Sequence, residues 1–136
     1  MDITRLQVGK TLSEAAIHNG TIYLAGQIAE DFTQDISGQT REVLGHIDRL
    51  LAAAGSNKSR ILMCQIFIAD MKHFPAMNEV WNEWIVGVQA PPRATVEAKL
   101  AHPEWLWSDQ TCWRPDVRSD SAGQHGCSND ELCRSD

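Results

Sequence analysis

Residues 1–106 predict an α+β layer with elements in the order β-β-β-α-β-α-β, two helices lying on one face of a mixed sheet. Three observations carry that expectation. An Asn19-Gly20 dipeptide joins two β-prone runs. Two later segments carry apolar residues at helical spacing. Between those segments, Arg60 to Ala69 is apolar almost throughout. A chain of 136 residues is long enough for one such domain with its own core.

The elements follow in order. Ile3 to Val8 reads as a first strand. Ser13–His18 and Thr21–Gly26 flank Asn19-Gly20, a pair suited to a type I′ turn because both central residues need positive φ. After Gly26-Gln27-Ile28, a polar connection leads to Asp35 or Ser37 as a helix N-cap. Val43, Leu44, Ile47, Leu50, Leu51 and Ala54 then share one helix face, and Gly55 stops it. The run 60–69 suits a strand covered on its faces. Asp70 caps or precedes a second helix with Met77, Val80, Trp81, Trp84, Ile85 and Val88 at helical spacing, and both tryptophans read as core.

Charge and cysteines narrow the function classes. A net charge of -6 offers no basic stripe to neutralise phosphates, so nucleic acid is not the expected partner. No apolar run approaches a membrane span, and Met1–Arg5 opens no apolar leader, so a cytoplasmic protein is expected. Cys64 behaves as a small buried hydrophobe. Cys112, His125, Cys127 and Cys133 match no paired zinc spacing, so neither metal nor cofactor is expected. The five histidines stand on separate elements with no ligand spacing between them.

Ala90-Pro91-Pro92-Arg93-Ala94-Thr95-Val96-Glu97 carries the chemistry. The prolines hold the chain extended out of the second helix, and Arg93 opens a strand. There the guanidinium either pairs with a surface acid or clamps a carboxylate or phosphate in bidentate fashion. Glu97 alternates to the same face as Arg93 and Thr95, as a cleft carboxylate or as a structural group such as Arg93's ion-pair partner. Tyr23 and Gln27 read as structural neighbours of such a cleft.

From Trp107 the composition turns to Ser, Asp, Arg, Gly and Cys without an apolar period. Residues 107–136 are therefore expected to be a disordered or loosely attached tail, with the closing strand lost.

Four segments in order resemble the RidA family, also called the YjgF or L-PSP endoribonuclease family. They are Tyr23-Leu24-Ala25-Gly26-Gln27-Ile28, Leu50-Leu51-Ala52-Ala53-Ala54-Gly55, Gln65–Met71 with Phe74 and Asn78, and Ala90–Val96. The resemblance implies a chorismate-mutase-like fold, a homotrimer with clefts between subunits, and hydrolysis of reactive enamines or imines to a 2-oxo acid and ammonia. It also implies Arg93 as carboxylate clamp, with Thr95, Asn78 and Gly26 at the substrate. A non-catalytic, small-carboxylate-binding or regulatory trimer is the alternative. Two departures stand out: Leu12 replaces a cleft tyrosine, and Ser108 stands where relatives carry a glutamate on the last strand. The abrupt change of character reads as a shift of the coding frame near residue 106.

Overall fold

A computed structural model describes residues 2–113. Strands β1 (Thr4–Val8), β2 (Ser13–His18) and β3 (Thr21–Leu24) form an antiparallel meander. Asn19 and Gly20 make the β2–β3 turn with φ of 51° and 70°, as the type I′ reading requires.

Helix α1 spans Ile36–Ala53. Asp35 is its N-cap, the carboxylate accepting the Gly38 N–H at 2.9 Å. At the other end Gly55 takes φ 78°, and the N–H of Ser56 reaches back to the Leu51 carbonyl at 2.8 Å. This is the paired closure in which a left-handed glycine lets the last carbonyls find donors.

Strand β4 (Ile61–Ile68) leads to a short 3₁₀ turn over Met71–His73, then to helix α2 (Phe74–Trp84). Asp70 caps the 3₁₀ turn rather than the helix, accepting the Lys72 N–H at 2.9 Å. Helix α2 ends earlier than the apolar spacing suggested: Ile85 closes it, Gly87 turns at φ 86°, and Val88 lies outside. Strand β5 (Arg93–Glu97) runs parallel to β4, with α2 as the crossover.

The expected loss of the closing strand is corrected here. Trp107–Trp113 forms a strand, β6, seated between β3 and β4 and antiparallel to both. The sheet order is β1-β2-β3-β6-β4-β5. The physical reason is that a ladder is made by main-chain groups, which every residue here carries. Without β6, both β3 and β4 would present unpaired backbone edges, and filling that gap does not require alternating apolar side chains. The ordered sheet therefore extends past 106, and the proposed tail over 114–136 falls outside the described residues.

Both helices cover one face of the sheet. Ala15, Ile22, Leu24, Cys64, Ile66 and Ile68 meet Val43, Leu44, Ile47, Leu50 and Leu51 of α1 and Met77, Val80 and Trp81 of α2, all buried. Each such aliphatic side chain contributes about 1.5–3 kcal/mol on leaving water. The opposite face stays open: Tyr23, Met63 and Val96 are 49%, 38% and 42% exposed there. No helix among the described residues is long and apolar enough to cross a membrane.

Candidate functional site

The site is built where β5 begins. Pro92 has no N–H to give, so strand pairing starts with its carbonyl, which accepts the Cys64 N–H at 3.0 Å. At the far end Ala98 donates to the Ile68 carbonyl at 2.9 Å. In a parallel ladder alternate residues of a strand bond to one neighbour, so residues 92, 94, 96 and 98 serve β4. Arg93 and Thr95 turn their backbone N–H groups the other way, toward the last edge of the sheet.

Their side chains lie on the helix-covered face, since Arg93 stands beside Cys64 and Thr95 beside Ile66. Helix α2 meets them there. Phe74, Asn78 and Trp81 follow one another at i, i+4 and i+7 and share one stripe of α2. Arg93 Nη2 donates to Asn78 Oδ1 at 2.8 Å. The guanidinium carbon lies 5.0 Å from the Trp81 ring centroid and 5.9 Å from that of Phe74.

Two polar atoms remain unused. Arg93 Nη1 and Thr95 Oγ1 are buried with no hydrogen-bond partner among the described residues. Buried polar groups are nearly always paired, and an orphaned charged donor is costly. An outward Thr95 N–H, an unpaired hydroxyl and a free guanidinium edge together suit a small planar anion. Glu97 is not Arg93's partner; its Oε1 accepts the Met71 N–H at 3.2 Å and so holds the 3₁₀ turn.

Of the four residues expected at the substrate, Arg93, Asn78 and Thr95 converge. Gly26 stands apart. It lines a separate recess of about 280 Å³ with Gln7, Glu14, Gln27, Glu30, His46 and Arg49. It lies just past the end of β3, which is three spacings from β5, about 14 Å across the sheet. Gln27 is buried there, donating to Glu14 at 3.0 Å and to the Ala25 carbonyl at 3.0 Å, a structural role. Tyr23 points to the open face.

Trp81 was expected only as core. It is core, 4% exposed, yet it also faces the guanidinium. The signal for this was the i, i+4, i+7 stripe ending a few residues before Pro-Pro-Arg. Trp84 serves the fold instead, donating to Asp48 at 2.8 Å while Lys58 Nζ meets its carbonyl at 2.6 Å. No group of three or more His, Cys, Asp or Glu suited to a metal ion occurs among the described residues. His125, Cys127 and Cys133 fall outside them.

Comparison with known proteins identifies the lineage. The family model described as Endoribonuclease L-PSP matches residues 3–107. The chain belongs to the L-PSP endoribonuclease family. A RutC family protein of Haemophilus influenzae is 54% identical over 106 residues, 77% of this chain and 91% of that one. The RutC family protein YoaB of Escherichia coli K12 is 42% identical over 105 residues, with the same coverages. Among solved structures, a YjgF family member from Neisseria meningitidis superposes with a TM-score of 0.82 at 38% identity, over 85% of this chain and 97% of that chain. Yeast Mmf1, at 21% identity and a TM-score of 0.78, shares the fold. The L-PSP match stops at residue 107, where the composition of the chain changes.

Proposed function

We propose that this family member hydrolyses reactive enamines and imines of the 2-aminoacrylate and 2-iminopropanoate type to a 2-oxo acid and ammonia. The observation that carries the reading is the pair of buried, unpartnered donors, Arg93 Nη1 and Thr95 Oγ1, beside a guanidinium that Asn78 already orients. An imino acid has one permanent handle, its carboxylate, and one electrophilic carbon. Arg93 clamps the handle, the outward Thr95 N–H and its hydroxyl complete the cradle, and the C=N carbon is left exposed to water.

An enamine first gains a proton from water at its terminal carbon and loses one from nitrogen to become the imine. Water then adds to the C=N carbon, a proton reaches the nitrogen, and the resulting amino alcohol expels ammonia as C=O forms. The substrate is unstable in water, so fixing it beside the attacking water suffices; positioning of this kind contributes up to about 7–11 kcal/mol in favourable cases. Neither a metal nor a cofactor is required by these steps.

The reading includes a homotrimer in the cytoplasm, with clefts between subunits. One feature supports the assembly: Tyr23, Met63 and Val96 leave an apolar sheet face uncovered. Ribonuclease activity, which the family's name suggests, finds no support in a chain of net charge -6.

A second reading, a carboxylate-binding trimer without catalysis, is favoured by one particular: the family resemblance implies a glutamate and a tyrosine where this chain has Ser108 and Leu12. One experiment separates the two. An amino-acid oxidase generates 2-iminopropanoate from alanine, and its decay is followed with and without the protein. Acceleration that Arg93→Ala abolishes supports the hydrolase; keto-acid binding with no acceleration selects the binding protein.

A further inference from the structure

A free arginine side chain samples many rotamers, and ordering it on ligand binding costs entropy. Arg93 is held from three sides before any ligand arrives. Asn78 Oδ1 takes one Nη2 hydrogen at 2.8 Å. Trp81 stands 5.0 Å from Cζ and Phe74 5.9 Å. All three come from one stripe of α2, a helix that buries Met77, Val80 and Trp81 in the core. What they leave unused is Nη1.

We infer that Trp81 and Phe74 are positioning residues for the anion site, holding the guanidinium in one orientation and thereby setting its preference for a planar carboxylate over a neutral carbonyl. This rests on the carboxylate-clamp reading above. The ring faces carry negative charge density that favours a cation beside them, most strongly where water is excluded. Asn78 fills the acceptor role near Nη2 without adding a charge. A carboxylate or aspartate in that place would satisfy the arginine outright; a neutral amide orients it and leaves its charge for the ligand. Preorganisation of this type raises affinity by removing the ordering cost from the binding step.

Two measurements test the inference. The first needs no ligand: arginine side-chain resonances of the ¹⁵N-labelled, unliganded protein. The Arg93 guanidinium protons are expected upfield, shifted by the ring currents of Trp81 and Phe74. Trp81→Leu removes most of that shift and Trp81→Phe keeps part of it. The second is calorimetric binding of pyruvate and of its amide. Trp81→Leu is expected to weaken pyruvate about tenfold and Phe74→Leu about threefold, with the amide unchanged. Trp81→Phe restores most of the pyruvate affinity.

Val80→Ala, buried on the same helix, controls for loss of stability and leaves pyruvate affinity unchanged. An Arg93 signal identical in the native protein and Trp81→Leu overturns the inference. So does pyruvate affinity that falls equally in Trp81→Leu and a Val80→Ala variant of matched melting temperature. If the ring shift is present but the native protein takes up no pyruvate, the carboxylate reading fails, and with it the selectivity assigned to the rings, while the caged arginine stands.

Discussion

The Arg93 site and the Gly26 recess are both lined with polar groups, but they differ in what remains unpaired. In the recess, Gln27 gives its amide hydrogens to Glu14 and to the Ala25 carbonyl. Glu42 nearby accepts the Glu30 and Asp31 N–H groups. At Arg93 the donors outnumber the acceptors: Asn78 takes one hydrogen, while Nη1 and Thr95 Oγ1 find nothing. His46 Nε2 in the recess is buried without a hydrogen bond but lies 3.9 Å from the Glu42 carboxylate, so the recess carries its own counter-charge and is a joint that holds the β2–β3 end to α1. A cradle with surplus donors is poised for an anion. Polarity alone does not mark a binding site; the balance of donors against acceptors does.

The largest expected effect breaks the second half of that contrast. Arg93→Ala removes the charge and should weaken small-carboxylate binding about a hundredfold, the upper range for a charge-assisted hydrogen bond, with imine decay returning to its background rate. Calorimetry and the oxidase-coupled assay read the two consequences.

A carboxylate supplied at position 108 comes next. Ser108 pairs with Phe67 on the neighbouring strand, so its backbone is held in the sheet. Ser108→Glu should raise the imine-hydrolysis rate about a hundredfold if a general base at that position orients water, and leave pyruvate affinity nearly unchanged. An unaltered rate would favour the binding-protein reading.

Asn78→Asp sharpens the donor balance itself. The new carboxylate pairs with Arg93 and competes with the ligand, so carboxylate affinity should fall about tenfold, more than in Asn78→Ala. The fold should tolerate the charge because its partner is already in place.

On the other side of the comparison, Gln27→Ala should cost about 1–3 kcal/mol of stability by leaving Glu14 without its partner, while carboxylate affinity per chain stays level. Thermal unfolding and calorimetry together check this. A loss of affinity with stability intact would move Gly26 and Gln27 into the binding machinery of the same chain.

The smallest effect concerns acid. The Lys72 N–H holds the Asp70 carboxyl below its ordinary 3.8, as the Thr33 hydroxyl and N–H do for Asp31. A carboxyl lowered in the folded state contributes stability above that value and loses it as pH falls through the folded pKa. The melting temperatures of the native protein and Asp70→Asn should therefore differ at neutral pH and converge below about pH 3.8, the contrast being small because both groups are exposed.

Much of the fold was legible in residue order because its signals are local. Asn19-Gly20 needs two positive φ angles and takes them; Asp35 and Gly55 cap α1 at the ends where they were expected. Arg93 and Thr95 share a face for the same local reason, the two-residue period of a strand. Helix α2 is shorter than its apolar rhythm suggests, because Ile85 and Val88 continue a spacing that Gly87 interrupts by its backbone alone.

Residue order by itself determined the α+β layer, the hairpin, both helices and an arginine at the mouth of the fifth strand. Those follow from φ preferences, capping groups and apolar period, all written within a few residues of where they act. Tertiary structure alone decided three things. It put Trp107–Trp113 at the centre of the sheet, because two open backbone edges accept any strand-competent segment. It brought Asn78, Trp81 and Phe74 around Arg93, because the crossover from β4 to β5 lays α2 across that edge. And it kept Gly26 apart from Arg93, because the strand inserted between β3 and β4 sets the distance, and nothing near Gly26 in the chain records that insertion.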